Sequence, residues 1–130
     1  LIVLDASAVI ELLVDSERGR LVDRHLEEAD GRAHSPGLLD LEVAQVLRRW
    51  EDAGRLGPTR GRATVEILAD LPIRRHPVRA LLPRVWDLRA NLTAYDAAYV
   101  ALAEALACPL VTFDRRIAAA PGHDARVVVP

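Results

Sequence analysis

Four acidic residues stand among apolar neighbours, at positions where carboxylates can perform chemistry. Asp5 directly follows a short apolar run, and Asp114 follows another such run much later in the chain. Glu42 and Asp96 each fall in the first turns of a predicted helix, beside Val, Leu and Ala residues. Ionised carboxylates in such surroundings resist desolvation, and when crowded they repel one another unless a cation lies among them. The four acids, called the acidic quartet below, therefore form a candidate metal site.

Oxygen ligands without Cys or His partners favour Mg²⁺ or Mn²⁺ over Zn²⁺. Such an ion can present a water molecule as a nucleophile and can also bind a phosphate oxygen. An acidic site that recruits a divalent cation would therefore attract a phosphodiester, although the chain carries a formal net charge of −2. Phosphoryl transfer near neutral pH is the chemistry that this donor set favours.

Each acid, taken singly, also has a purely structural explanation. Asp5 and Asp114 could be helix N-caps, whose side chains accept hydrogen bonds from backbone N–H groups. Asp96 could complete a capping box with Thr93. Glu42 could be an ordinary solvated helix carboxylate. The residue types alone leave these alternatives open.

Other polar residues near the acids are candidates for supporting roles. Ser7 could hold a metal-bound water, but capping of the first helix is the favoured role for it. Thr112 could bond to Asp114 or to a bound phosphate, and the alternative is simple strand packing. Arg115 and Arg116, which stand beside Asp114, could contact phosphates, and the alternative is a solvated surface position.

Length and composition limit the other possibilities. The chain of 130 residues fits one domain, residues 1–130. All 17 basic residues are Arg, and the absence of Lys argues against P-loop nucleotidases and Schiff-base enzymes. The single cysteine, Cys108, can form neither an internal disulfide nor a multi-thiolate metal site, which favours a reducing cytosol. The longest apolar stretch contains acids, so we expect no transmembrane span.

The elements that must position the quartet alternate between strand and helix. This alternation predicts an α/β fold with a mostly parallel sheet between helices, in which ligands bind beyond the carboxyl ends of the strands. The predicted strands are Leu1–Leu4, Ala33–Ser35, Pro72–Pro77, Pro109–Phe113 and Arg126–Val129. The predicted helices begin at Asp5–Ser7 and near Asp114, and otherwise cover Glu17–Ala29, Leu38–Ala53, Pro58–Leu71, Arg79–Ala90 and Ala94–Ala107.

Four segments in this order resemble the motifs of the PIN-domain ribonucleases, in particular the VapC toxins of bacterial toxin–antitoxin pairs. They are the opening Leu-Asp-Ala-Ser-Ala around Asp5, residues 36–48 around Glu42, residues 92–103 around Asp96, and residues 110–114 ending in Asp114. The segment around Asp96 is the most specific of them. The similarity covers nearly the whole chain.

The resemblance implies a PIN-like three-layer sandwich, with a five-stranded, mostly parallel sheet and helices on both faces. It implies that Asp5, Glu42, Asp96 and Asp114 surround one or two Mg²⁺ or Mn²⁺ ions. It also implies a cytoplasmic endoribonuclease that cleaves single-stranded regions of structured RNA, such as transfer or ribosomal RNA. The implied partners are a VapB-like antitoxin packed across the cleft and a second copy of the chain in a homodimer.

On this basis we expect metal-assisted hydrolysis, in which an activated water attacks the phosphorus in line. Asp5, Asp96 and Asp114 would be the primary ligands, and Glu42 would bind a second ion or orient the water. Two alternatives remain: a catalytically silent PIN-like protein-binding module and a PIN-family DNA nuclease. Val46 and Trp86 could belong to a dimer face or equally to the core.

Overall fold

A fully parallel five-stranded sheet runs through the middle of the molecule. The computed structural model describes residues 1–130, and each neighbouring pair of strands is parallel. The strands are β1 (Ile2–Leu4), β2 (Ala33–Pro36), β3 (Ile73–His76), β4 (Leu110–Val111) and β5 (Val127–Val128). Their spatial order is β3-β2-β1-β4-β5, which places the first strand at the centre. The predicted α/β architecture is confirmed, and the sheet is wholly rather than mostly parallel.

The helices form two groups around this sheet. The first four are α1 (Ala6–Leu13), α2 (Glu17–Glu28), α3 (Leu39–Asp52) and α4 (Pro58–Asp70). The later ones are α5 (Leu82–Asp87), α6 (Ala94–Leu106) and α7 (Arg115–Ala119). Helix α1 packs against α2, α3 and α4, whereas α6 packs against α5 and the strands β1, β2 and β4. None of the helices combines the length and apolar composition needed to span a membrane.

The register of the two central strands brings distant parts of the chain together. Val3 pairs with Leu110, and Leu4 pairs with Val111. Because β1 and β4 are parallel, the residues after them, including Asp5 and Asp114, leave the same edge of the sheet. The predicted convergence of these two acids at one sheet edge is therefore correct.

Helix α6 is held firmly against the sheet. Its residues from Ala97 to Ala103 are all buried, and four of these seven are alanine. Small side chains allow the helix backbone to approach the strands closely, and a helix apolar on all sides is one that the core surrounds. Asp96 precedes this buried segment directly, so the packing of α6 fixes the position of its carboxylate.

Several predicted elements differ in extent from the observed ones, including the strand Pro72–Pro77, of which Ile73–His76 forms β3. The predicted helix Arg79–Ala90 is divided into a 3-10 helix (Val78–Leu81) and α5, because Pro83 lies in the first turn of a new helix. Strand β4 is shorter than Pro109–Phe113, since the Phe113 N–H bonds to the Ser7 side chain instead of a neighbouring strand. Strand β5 covers only two residues of the predicted Arg126–Val129.

The close contact between α1 and α2 leads to a stability prediction. A Cβ atom at Gly19 would lie 2.3 Å from the Glu11 carbonyl oxygen, so Gly19→Ala must push the two helices apart. We expect a loss of about 1–3 kcal/mol in the free energy of unfolding, typical of overpacking, measured by urea denaturation.

Gly61→Ala is the matched control. At Gly61 the added Cβ would meet the flexible end of the Glu51 side chain, and alanine favours the helix. This variant should be as stable as the parent or slightly more stable. If the free energy of unfolding of Gly19→Ala also equalled that of the parent, the close contact between α1 and α2 at Gly19 would be contradicted.

Candidate active site

Asp5 is the most buried member of the acidic quartet, with only 6% of its surface exposed. Its Oδ1 atom accepts hydrogen bonds from the Ser7 hydroxyl at 2.6 Å and from the Ala8 N–H at 3.0 Å. Its Oδ2 atom accepts a hydrogen bond from the Thr112 hydroxyl. The structural explanation is correct in that Asp5 caps α1. The two hydroxyl contacts go beyond what a cap requires.

Ser7 and Thr112 connect the two chain segments that leave the sheet edge. Ser7 donates to Asp5 and accepts from the Phe113 N–H at 2.9 Å. Thr112 is fully buried and accepts from the Asp114 N–H at 2.9 Å while donating to Asp5. The prediction that Ser7 caps the first helix is wrong, because the N-cap residue of α1 is Asp5. The expected bond between Thr112 and Asp114 is present, through the Asp114 backbone.

Glu42 reaches the site from the first turns of α3 and is half-buried. Its Oε1 atom accepts a hydrogen bond from the Tyr99 hydroxyl at 2.7 Å. Burial raises the pKa of Glu42, the Tyr99 hydrogen bond opposes the rise, and the charges of Asp96 and Asp5 add to it. Glu42 is therefore not a freely solvated helix carboxylate.

Tyr99 is a core aromatic whose hydroxyl also reaches the acidic quartet through Glu42. It is 2% exposed on α6, and burial raises its pKa far above the usual range. Tyr95 lies one helical turn earlier and is 64% exposed, so it is not a core residue. The sequence carries no signal that pairs Tyr99 with a carboxylate 57 residues away on another helix.

Asp96 lies in the first turn of α6, where Thr93 caps the helix. The Thr93 hydroxyl accepts a hydrogen bond from the Asp96 N–H at 3.2 Å, which confirms the capping role of Thr93. Burial is the largest cause of the raised pKa of Asp96, and the charge of Asp114 raises this pKa further. A hydrogen bond with Thr93 and the charge of Arg116 lower the pKa in part. A half-buried carboxylate that borders a second acid is poorly stabilised in its charged form.

Asp114 differs from the other three acids because it has a basic partner. It caps α7 by accepting from the Arg116 N–H at 3.0 Å, and it also pairs with the Arg116 guanidinium. Hydrogen bonds from Arg116 hold the pKa of Asp114 below its usual value. Arg115 is exposed and has no hydrogen bond or ion pair, so its predicted phosphate contact stays a prediction.

The electrostatic effects join the quartet into one group. Burial is the largest cause of the raised pKa of Asp5, and the charge of Asp96 adds to it. The charges of Asp96 and Asp5 raise the pKa of Glu42, and the charge of Asp114 raises the pKa of Asp96. Each acid is thus close enough to affect at least one other, as the sequence predicted for crowded carboxylates.

The donor chemistry of this group fits a hard divalent cation. Carboxylate and hydroxyl oxygens are its only side-chain groups apart from Arg116, and a cation would relieve the mutual repulsion. As the side chains stand, no three His, Cys, Asp or Glu residues are close enough together to hold a metal ion. The support for metal binding is therefore the chemistry and charge of the quartet.

The raised pKa of Asp96 leads to a prediction for the metal-free protein. A carboxyl whose pKa is higher in the folded than in the unfolded state binds protons on folding, so it lowers stability as pH rises through that range. Asp96→Asn should therefore be more stable than the parent at pH 7 in EDTA. The difference should shrink as pH falls below the raised pKa.

Thermal unfolding of both proteins from pH 3.5 to pH 8 would measure this difference. Asp23→Asn, which removes an exposed acid on α2, is the control and should follow the parent at each pH. An Asp96→Asn protein that is less stable than the parent at pH 7 would contradict the conclusion that the charged form of Asp96 destabilises the folded, metal-free protein.

Comparison with known proteins identifies the family of the chain. The family model described as the PIN domain matches residues 2–122. Ribonuclease VapC9 of Mycobacterium tuberculosis is 45% identical over 117 residues, which cover 90% of this chain and 88% of the relative. Ribonuclease VapC12 of the same species is 38% identical over 127 residues, covering 98% and 97%.

Solved structures show the same fold. The crystal structure of Mycobacterium tuberculosis VapC20, described as a toxin that cleaves the sarcin-ricin loop, has a TM-score of 0.70 at 18% identity. The match covers 95% of this chain and 97% of that one. A protein from Pyrobaculum aerophilum matches with a TM-score of 0.66 and 23% identity, over 91% and 84% of the two chains. On the family match and the curated relatives together, the chain belongs to the PIN-domain family and, within it, to the VapC ribonucleases.

Proposed function

We propose that the chain is the endoribonuclease toxin of a type II toxin–antitoxin pair, and that it hydrolyses RNA at the acidic quartet with Mg²⁺ or Mn²⁺. The observation that carries this proposal is the grouping of Asp5, Glu42, Asp96 and Asp114 around one sheet edge, with only one basic partner among them. Relatives named ribonucleases over most of the chain support the reaction class. PIN-domain ribonucleases generally depend on divalent metal.

Each acid has a role that follows from its surroundings. Asp5 is buried and fixed by three hydrogen bonds, and we assign it as a primary ligand together with Asp96 and Asp114. Glu42 is oriented by Tyr99 and either binds a second ion or orients the attacking water. A bound divalent cation supplies the charge that lowers the pKa of a water and stabilises the phosphoryl transition state. No side chain is needed as a covalent nucleophile.

The proposed substrate is a single-stranded region of a structured RNA, of the transfer or ribosomal class. A folded RNA presents unstacked bases and accessible phosphates chiefly in loops and bulges. VapC20, a neighbour in fold, is described as cleaving one such structure, the sarcin-ricin loop. The location that goes with this substrate is the cytoplasm.

The proposed partner is a VapB-like antitoxin, which would cover the acids and nearby apolar surface. Leu41 precedes Glu42 on α3 and is 77% exposed, and it lines an open pocket together with Val65, which is exposed on the neighbouring helix α4. An apolar surface of this kind beside a functional site is typical of protein binding.

The decisive experiment compares the parent protein with Asp96→Asn on a pool of structured cellular RNAs, in Mg²⁺, Mn²⁺ or EDTA. We expect discrete cleavage that requires metal and falls by at least about a hundredfold in the variant, because one ligand and its charge are lost. Gel mapping of the cut sites measures both the rate and the target. The same assay on a matched DNA strand tests the DNA-nuclease alternative.

Metal binding to the parent, Asp5→Asn and Asp96→Asn accompanies the assay. Wild-type affinity in both variants would defeat the ligand assignment. Cleavage that survives both EDTA and Asp96→Asn would defeat the metal mechanism. A folded, metal-binding parent that cleaves none of the RNAs would favour the protein-binding module.

Homodimerisation is also proposed and has its own test. Trp86 on α5 is 66% exposed, so it is not part of the core, whereas Val46 on α3 is partly buried against the core. The exposed Leu82 lies on the same short helix as Trp86. We expect light scattering on the isolated chain to give twice the mass of one chain, and Trp86→Ala to weaken the dimer. A monomer at all concentrations would contradict the proposal.

A further inference from the structure

Arg116 makes the only contact between a guanidinium and the acidic quartet. Its Nε atom lies 3.0 Å from Oδ1 of Asp114, and its Nη2 atom lies 2.8 Å from Oδ2. The planar guanidinium of Arg116 therefore donates a hydrogen bond to each oxygen of the Asp114 carboxylate. The Arg116 side chain is nevertheless 89% exposed, whereas that of Asp114 is 23% exposed.

The other three acids have only neutral partners. Asp5 accepts from hydroxyls and from a backbone N–H, and Glu42 accepts from the Tyr99 hydroxyl. The positive charge of Arg116 acts on Asp96 as well as on Asp114. Arg116 is thus the one basic side chain in contact with the quartet.

We propose that Arg116 is a positioning residue with two alternative partners: Asp114 in the metal-free protein, and an RNA phosphate once the quartet holds a divalent cation. This inference rests on the proposed function. It concerns how the site is filled and does not alter which residues form it.

Competition for the same oxygens is the physical reason for the first half of this proposal. A cation bound by Asp114 needs a carboxylate oxygen that Arg116 now occupies, and the two positive charges repel each other. An exposed ion pair contributes little stability, so its release is inexpensive. Filling the quartet should therefore free the guanidinium.

The geometry of the freed side chain supports the second half. Arg116 lies at the first turn of α7, at the sheet edge where the phosphodiester must approach. A guanidinium fork suits a phosphate as well as it suits a carboxylate, and it can make two parallel hydrogen bonds to either. A phosphate entering a site of four carboxylates gains from such a cation beside it.

Arg116→Gln and Arg115→Gln provide a charge-matched test. Each removes one positive charge at nearly the same place, but only Arg116 contacts Asp114. We expect Arg116→Gln to bind Mn²⁺ about two- to fivefold more tightly than the parent at low ionic strength, the range of an exposed ion pair. Arg115→Gln should change the affinity clearly less. Calorimetric titration measures both.

RNA binding should change in the opposite direction. The probe is a short single-stranded RNA in Ca²⁺, with a gel to verify that the RNA stays intact. Arg116→Gln should bind it about five- to tenfold more weakly than the parent, as expected for one charge-assisted contact. In EDTA the two proteins should bind the RNA equally. Arg116→Lys, which keeps the charge without the fork, should recover part of the affinity.

A measurement on the parent protein needs no variant in the binding assay. The Arg116 Nε–H resonance, assigned by its loss in Arg116→Gln, should shift when Mg²⁺ is added and shift again with RNA. An unchanged resonance at saturating metal, or equal Mn²⁺ affinity in the parent and Arg116→Gln, would overturn the inference. Neither result would affect the proposed function, which depends on metal-dependent cleavage by the parent and its loss in Asp96→Asn.

Discussion

The buried carboxylate of Asp5 is the interaction on which the rest of the site depends. A charged group with 6% exposure is unfavourable unless polar groups surround it, and here one backbone N–H and two hydroxyls do so. The two hydroxyls belong to Ser7 and Thr112, which also bind the backbone that leads to Asp114. One carboxylate therefore sets the positions of the β1–α1 and β4–α7 connections together. The central pairing of β1 with β4 makes this arrangement possible.

Asp96 and Glu42 are held by the packing and hydrogen bonding of α6, whereas Asp114 pairs with Arg116. The buried alanine-rich segment of α6 fixes Asp96, and the Tyr99 hydroxyl from the same helix orients Glu42. Both carboxyls have raised pKa values because burial is the largest effect on each, and the charge of Arg116 opposes it only in part at Asp96. The fold tolerates this unfavourable arrangement because the core beneath it is extensive. Strain of this kind is common where binding, and not stability, has determined the residues.

The sequence was sufficient for the architecture and for the members of the quartet as a hypothesis. Continuous apolar strands alternating with helices predict a parallel sheet, and parallel strands place the residues after them at one edge. The sequence did not predict two contacts: the hydrogen bond from Tyr99 to Glu42 and the bidentate ion pair between Arg116 and Asp114. The first joins residues far apart in the chain, and the second depends on a rotamer. The predicted helix Arg79–Ala90 was too long, because Pro83 fits only the first turn of a helix and α5 therefore begins beside it. The metal-ligand roles of the four acids remain predictions.

The scatter of the quartet along the chain has a consequence for synthesis of the protein. Asp5 is made early and Asp114 more than a hundred residues later, and β1 gains the second of its two neighbouring strands only when β4 has been made. Non-local pairing of this kind delays folding until both partners are present. On the ribosome, an incomplete nascent chain consequently lacks both an intact central sheet and a complete quartet. A nuclease built in this way has its complete set of four acids only after the chain has been made past Asp114.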